Sequence, residues 1–243
     1  MPRVWRLRFP RTRASRRFSA TAANATSHAS TTTRGCARTI SCPWRADSSS
    51  CRRRARLAKT VDIEALLLTE RLVLEPVRER HARELFASLQ DARIFTYMPE
   101  DPPGTPEALA VRYQLWERRV SPDGNERWLN WVVRLAATGE PIGLLQATVP
   151  AQAPAIVAYL FFPTHWGRGY AREGLTRVLS LLFEEYGVAC AAALVDTRNA
   201  RSIALLRGLG FRVTKTIRQA DFYKGRVRDE HRLQLERASW LRR

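Results

Sequence analysis

The stretch that most restricts the fold runs over residues 161–211. It reads FFPTHWGRGYAREGLTRVLSLLFEEYG, then a short apolar run, then DTRNARSIALLRGLGF. An apolar run enters a Gly-bracketed turn, the turn opens a long amphipathic helix, and a second apolar run follows. This is the pattern of a crossover between parallel strands. Gly167 and Gly169 allow backbone conformations and close approaches that a side chain forbids, and Arg168 and Arg172 add positive charge at the helix entrance. The first N–H groups of a helix have no partner inside it, so this turn is expected to seat a pyrophosphate.

Two nucleotide readings fail on spacing. A dinucleotide fingerprint needs a third Gly at position 172, where the chain has Arg, and a P-loop needs Gly-Lys followed by Ser or Thr, which is absent. A second block sharpens the signal. Asn199 and Ser202 follow a strand expected over 191–195 and open a helix that ends at Gly208-Leu209-Gly210-Phe211. With both blocks in this order the chain resembles the GNAT N-acetyltransferase superfamily, and within it the Rim-type branch of ribosomal-protein N-terminal acetyltransferases. That family's acetyl-CoA signature falls on Trp166, Gly167, Arg168, Gly169, Tyr170 and Ala171, with Trp where Gln or Arg is usual. The branch's Asn-x-x-Ser matches Asn199 and Ser202, and its closing Gly-Phe matches Gly210 and Phe211. The resemblance spans about residues 67 to 236.

It implies an α/β (mixed α+β) fold, a mixed twisted sheet with helices on both faces and a splayed cleft for CoA. Acetyl-CoA would be the acetyl donor, with no metal. The backbone from Trp166 to Arg172 would hold the diphosphate, and an N–H near Tyr159, Leu160 or Phe161 would face the oxyanion. Ser202 would donate to the leaving thiolate, and Asn199 would hold the pantetheine arm. A helix cap is a physically sound second role for Asn199. The base is harder to place. Many family members carry a Glu on the strand before the phosphate loop, and here Ile156 stands at that position and Ala158 at the Gly after it. Glu100 is taken as the substitute, with Asp101 beside it and a water chain to backbone carbonyls as an equal alternative, although a charged loop is ordinarily solvated. His165 is read as a surface residue flanking the turn.

The remaining pattern alternates strand and helix. A half-buried strand is expected at Leu72, Leu74 and Pro76, and a helix over 80–89. Thr105-Pro106-Glu107 is a helix start, with a cap, a Pro at the first position and an acid on the positive end; the helix runs to about 119. A hairpin over 131–135 and 142–149 turns at Thr138-Gly139-Glu140-Pro141. Further elements are a strand over 156–161, a helix over 171–186, a helix over 200–209, and strands over 211–217 and 229–235.

Charge divides the chain at about residue 60. Residues 1–60 hold fifteen bases and one acid, Asp47, whereas 61–243 hold twenty-six bases and twenty-two acids, so the net +18 belongs mostly to the arm. The arm has no sustained apolar period and is expected to be disordered. It fits an organelle transit peptide, a weak twin-arginine signal without an apolar core, or a non-specific nucleic-acid contact. The favoured reading is an untranslated upstream stretch of a GC-rich frame, with Val61 as a GTG start. The domain is then 61–243.

Cys36, Cys42 and Cys51 match no common zinc spacing, and Cys190 reads as a small core hydrophobe. No apolar run approaches the roughly 18 to 20 residues of a membrane span, so a cytoplasmic, membrane-free monomer or homodimer is expected. The function that follows is acetyl transfer from acetyl-CoA to an amine acceptor, a protein N-terminus or a small molecule, by direct attack in a ternary complex. The alternatives are an aminoglycoside or other small-amine acetyltransferase, and a non-catalytic CoA-binding or nucleic-acid-binding module.

Overall fold

In the computed structural model, which describes residues 62–243, eight strands form one sheet. Its spatial order is β1 (Leu67–Leu68), β2 (Leu72–Pro76), β3 (Glu126–Leu135), β4 (Pro141–Pro150), β5 (Ala155–Phe161), β6 (Cys190–Asp196), β8 (Arg226–Glu236) and β7 (Arg212–Tyr223). Every neighbouring pair is antiparallel except β5 and β6. The expected mixed sheet is present, with one parallel crossover.

Helices cover both faces. On β3, Leu129, Trp131 and Val133 join one apolar cluster while Trp128 and Val132 join the other, as the two-residue side-chain period of a strand requires. The first cluster is filled by α3 (Tyr170–Ser180) and α4 (Ala200–Gly208), through Leu175, Val178, Leu179, Ile203 and Leu206. The second is filled by α1 (His81–Phe86) and α2 (Pro106–Glu117), through Leu85, Leu109, Tyr113 and Trp116. A short α5 (Arg237–Trp240) closes the chain. Among the described residues no helix is long and apolar enough to cross a membrane.

The Thr105-Pro106-Glu107 start forms as expected: Thr105 Oγ1 accepts from Ala108 N at 3.1 Å. Other elements differ in extent. The helix expected over 80–89 stops at Phe86 and continues as a 3₁₀ turn, Ser88–Gln90; a second 3₁₀ turn, Ala92–Phe95, follows. The helix expected over 171–186 ends as α-helix at Ser180 and widens into a π turn, Leu181–Glu185, closed by Tyr186 N to Leu181 O at 3.0 Å. The last two strands are much longer than the pattern implied and meet in a two-residue hairpin at Lys224-Gly225. Cys190 is buried, as expected of a core thiol. The arm, its three cysteines and Val61 lie outside the described residues.

The feature that positions the site is a short strand pairing. β5 and β6 pair only through Ala155–Ala191 and Ile156–Ala192. Beyond that point they diverge, β5 running on with β4 and β6 with β8. The sheet is therefore split between residues 157–161 on one side and 193–196 on the other, an opening with backbone polar groups along its walls.

Candidate active site

On the α3/α4 face the split is flanked by the Gly turn. After β5 the chain makes a 3₁₀ turn, Pro163–His165, and the Trp166 indole N–H donates to Phe161 O at 2.6 Å. Gly167 and Gly169 both have positive φ, +77° and +82°, where L side chains are strained. Gly169 is the N-cap of α3, and no side chain caps that helix start. The leading N–H groups of Tyr170, Ala171 and Arg172 thus have no intrahelical partner and sit at the positive end of the helix dipole. A Cβ at Gly167 would meet nothing within 4 Å. This open, donor-rich turn fits a diphosphate.

The turn is fixed from behind. Glu173 accepts from Thr69 Oγ1 at 2.6 Å, Arg71 N at 2.8 Å and Arg71 Nε at 2.7 Å, and Arg71 Nη1 donates to Arg168 O at 3.2 Å. Burial raises the Glu173 pKa, but the Thr69 and Arg71 bonds outweigh it and hold the carboxyl below its ordinary value. Arg71 also lies 4.8 Å from the centre of the Tyr170 ring. At Gly208 a Cβ would fall 2.2 Å from Arg172 Nη2, so the Arg172 guanidinium lies close over α4 at this position. His165 corrects the surface reading. It is buried, with Nδ1 3.0 Å from Thr164 Oγ1 and Nε2 3.5 Å from Glu140, because the 3₁₀ turn folds the ring inward beside Tyr170.

Across the split stands α4. Asn199 caps it, Oδ1 accepting from Ser202 N at 3.1 Å. The Ser202 hydroxyl lies 2.6 Å from the Tyr159 hydroxyl of β5, so this pair spans the divergence. Burial pushes the Tyr159 phenol up to about 12, against a smaller lowering by Ser202, and it stays protonated at neutral pH. Arg201 reaches back to the Trp166 ring at 5.6 Å, a second contact from α4 to the turn. Tyr159, Leu160, Phe161, residues 166–172, Asn199 and Ser202 are therefore gathered around one end of the split.

Glu100 belongs to the other face. It precedes α2 in the loop that follows the Phe95 turn and, contrary to the solvated reading, is 9% exposed; Asp101 beside it is exposed. Ile156 is buried where the strands part, with Thr148 and Ala192 as its strand neighbours. Four residues that the motifs did not mark, Asp196, Arg198, Tyr223 and Arg228, gather at the end of β6. Asp196, the last residue of β6, is buried; it accepts from Arg198 Nη2 at 2.9 Å and Tyr223 Oη at 3.0 Å, with Arg228 Nη1 at 3.8 Å. Burial raises its pKa, but the Arg198 and Tyr223 bonds hold it below the ordinary value, whereas burial raises the Tyr223 phenol. Asp196 reads as part of an Asp-Thr-Arg turn until Tyr223 and Arg228 are brought to it from the distant hairpin. Among the described residues no His, Cys, Asp and Glu cluster could hold a metal.

This geometry coincides with a family match. The acetyltransferase (GNAT) domain model matches residues 71–212. The chain belongs to the GNAT acetyltransferases. It is 25% identical over 162 residues to the uncharacterized N-acetyltransferase YoaA of Bacillus subtilis, covering 66% of this chain and 90% of that protein. A GNAT-family crystal structure from Chromobacterium violaceum superposes with a TM-score of 0.65 at 26% identity, over 80% of this chain and 97% of the other. Spermidine N-acetyltransferase from Vibrio cholerae, solved with CoA and spermine, shares the fold at a TM-score of 0.60 and 22% identity, over 71% and 99% of the two chains. The chain is an acyl-CoA-dependent N-acetyltransferase of mixed α/β GNAT fold, with acetyl-CoA as acetyl donor. Membership in this family of enzymes displaces the non-catalytic reading.

Proposed function

We propose that this GNAT enzyme acetylates a primary amine, a protein N-terminus or a small amine, by direct attack within a ternary complex, in the manner of the Rim-type branch. The observation that carries the reading is the split between β5 and β6, bridged by Tyr159 and Ser202 on the side where the uncapped α3 start lies. The backbone of residues 166–172 binds the donor's diphosphate, and Asn199 holds the pantetheine arm while capping α4. The strand edge at Tyr159, Leu160 and Phe161 offers an N–H to the oxyanion. The amine nitrogen attacks the thioester carbon, the N–C bond forms and the C–S bond breaks. With the Tyr159 phenol donating to Ser202 Oγ, the Ser202 proton is directed at the departing sulfur. Glu100 takes the ammonium proton from the opposite face. The Rim-type assignment rests on Trp166-Gly-Arg-Gly, Asn199 with Ser202, and Gly210-Phe211.

The test is thiol release from acetyl-CoA with a panel of N-terminal peptides, polyamines and aminoglycosides. Direct transfer gives intersecting initial-velocity lines when both substrates are varied. Parallel lines would indicate an acetylated enzyme and refute the ternary complex. A preference for aminoglycosides over peptides would favour the small-amine alternative.

A further inference from the structure

Lys224 sits at the tip of the β7–β8 hairpin, far in sequence from the motifs, and its ammonium is held by main-chain carbonyls of another segment. Nζ donates to Phe95 O, to Met98 O at 3.1 Å and to Glu100 O at 3.1 Å, with Asp101 Oδ1 at 3.8 Å. Three convergent carbonyls match a compact ammonium with three donors. The local backbone is chosen against propensity. Lys224 and Gly225 have φ of +50° and +70°, as a two-residue I′ hairpin loop needs, and such a loop favours Asn or Asp before the Gly. Lys in a left-handed conformation is a local cost that the ammonium cage offsets.

The two segments joined in this way belong to opposite sides of the split. The hairpin is anchored to the β6 side, since Tyr223 Oη donates to Asp196 and β8 pairs along β6. The carbonyl segment is anchored to the β5 side, since Ile94, Phe95 and Met98 share an apolar cluster with Leu160 and Phe162. The donor's diphosphate seat and Ser202 lie on the α3/α4 face, so an amine attacking the thioester comes through the α1/α2 face. That is the face Lys224 straps.

We propose that Lys224 is a positioning and specificity-determining residue: its clasp joins the hairpin tip to residues 95–101, fixing the wall past which the amine enters and the backbone of Glu100. This inference rests on the acetyl-transfer reading above for its kinetic arm and on the structure alone for its exchange arm.

The test compares wild type with Lys224→Asn and Lys224→Arg in the full chain. Asn suits the I′ turn, so K224N removes the ammonium while keeping the hairpin. In K224N, backbone amides over 95–101 should lose hydrogen-exchange protection, and the acceptor KM should rise by something on the order of tenfold, with weaker discrimination among amines of different size. The KM for acetyl-CoA and the rise in melting temperature with acetyl-CoA should not move. K224R should not restore the acceptor KM, because a planar guanidinium does not fill a three-carbonyl cage. Unchanged exchange over 95–101 would overturn the clasp. Increased exchange with unchanged acceptor kinetics would overturn its role in specificity. A wild-type chain that acetylates no amine in the panel would sink the proposed function instead, and the clasp would then stand or fall on exchange alone.

Discussion

Replacing Ser202 by Ala separates the chemistry proposed for its hydroxyl from architecture, because the two fall on different atoms. The α4 cap is made by Asn199 Oδ1 on the Ser202 backbone N–H, which Ala retains. The hydroxyl is engaged by Tyr159 at 2.6 Å, and its loss costs one hydrogen bond, a net ~0.5–1.5 kcal/mol. The phenol also has Ser202 O at 3.5 Å as a remaining acceptor, which puts the stability effect at the low end. Turnover is another matter. If Ser202 donates to the departing sulfur, that bond strengthens only as the thiolate forms, so kcat should fall by something on the order of 10- to 1,000-fold while acetyl-CoA affinity barely changes. Thiol release at saturating acetyl-CoA and amine gives kcat; the acetyl-CoA dependence of the melting temperature gives affinity. Tyr159→Phe supplies the second edge of a cycle. If the phenol acts by orienting the Ser202 hydroxyl, the double variant should be no slower than S202A alone. An unchanged kcat in S202A would reduce Ser202 to a helix-start residue, and additive losses would refute the relay.

Other expectations follow from the same contacts. Gly169→Asp places a carboxylate at the proposed diphosphate seat, at a φ that Asp tolerates better than most residues, with its Cβ 3.4 Å from Arg71 Nη2. A folded G169D should lose the stabilisation by acetyl-CoA, about 2.7 kcal/mol at a hundredfold excess over Kd in wild type, and a retained shift in melting temperature would misplace the seat. Glu173→Gln should lower the melting temperature at neutral pH. Because the folded Glu173 pKa lies below its ordinary value, that carboxylate's contribution is present above about 4.5 and disappears as pH falls through the folded value. The gap between wild type and E173Q should therefore close in acid, and a gap that widens there would contradict the assignment. A chain starting at Val61 should melt and turn over like the full chain, since residues 62–243 supply an apolar cluster to each face of the sheet; lost activity would show that the arm is needed.

The backbone geometry of the candidate donor half was legible because it is local. A turn needs Gly167 and Gly169 at positive φ, a helix start needs Asn199 as cap, and both demands fall on consecutive residues. The proposed acceptor half joins segments more than a hundred residues apart, and no local period records that. Lys224-Gly225 is an unusual hairpin pair, so the long β7–β8 ribbon read as two short strands. β7 also exposes most of its residues and carries irregular register between Val213 and Lys215 and between Ile217 and Asp221, which breaks the alternation by which strands are recognised. The π turn at Leu181–Glu185 is invisible for the opposite reason: one wide turn at the end of a helix leaves the apolar pattern looking continuous.

Glu100 shows why the difference matters for mechanism. In sequence it sits beside Asp101 in a Pro- and Gly-containing loop, where charged residues are ordinarily solvated. In the structure the two part company, with Glu100 buried and Asp101 exposed, and Lys224 holds the carbonyls of residues 95, 98 and 100 on one ammonium. Ile156, at the position where related enzymes carry a carboxylate, is sealed where β5 and β6 part and has nothing to offer a proton. In the proposed mechanism the base comes from the loop at Glu100, and a loop can hold one accurately only if its backbone is fixed. The proposed strap across the split would supply that fixity, which makes a single exposed-looking lysine in the sequence the residue whose replacement tests the acceptor side.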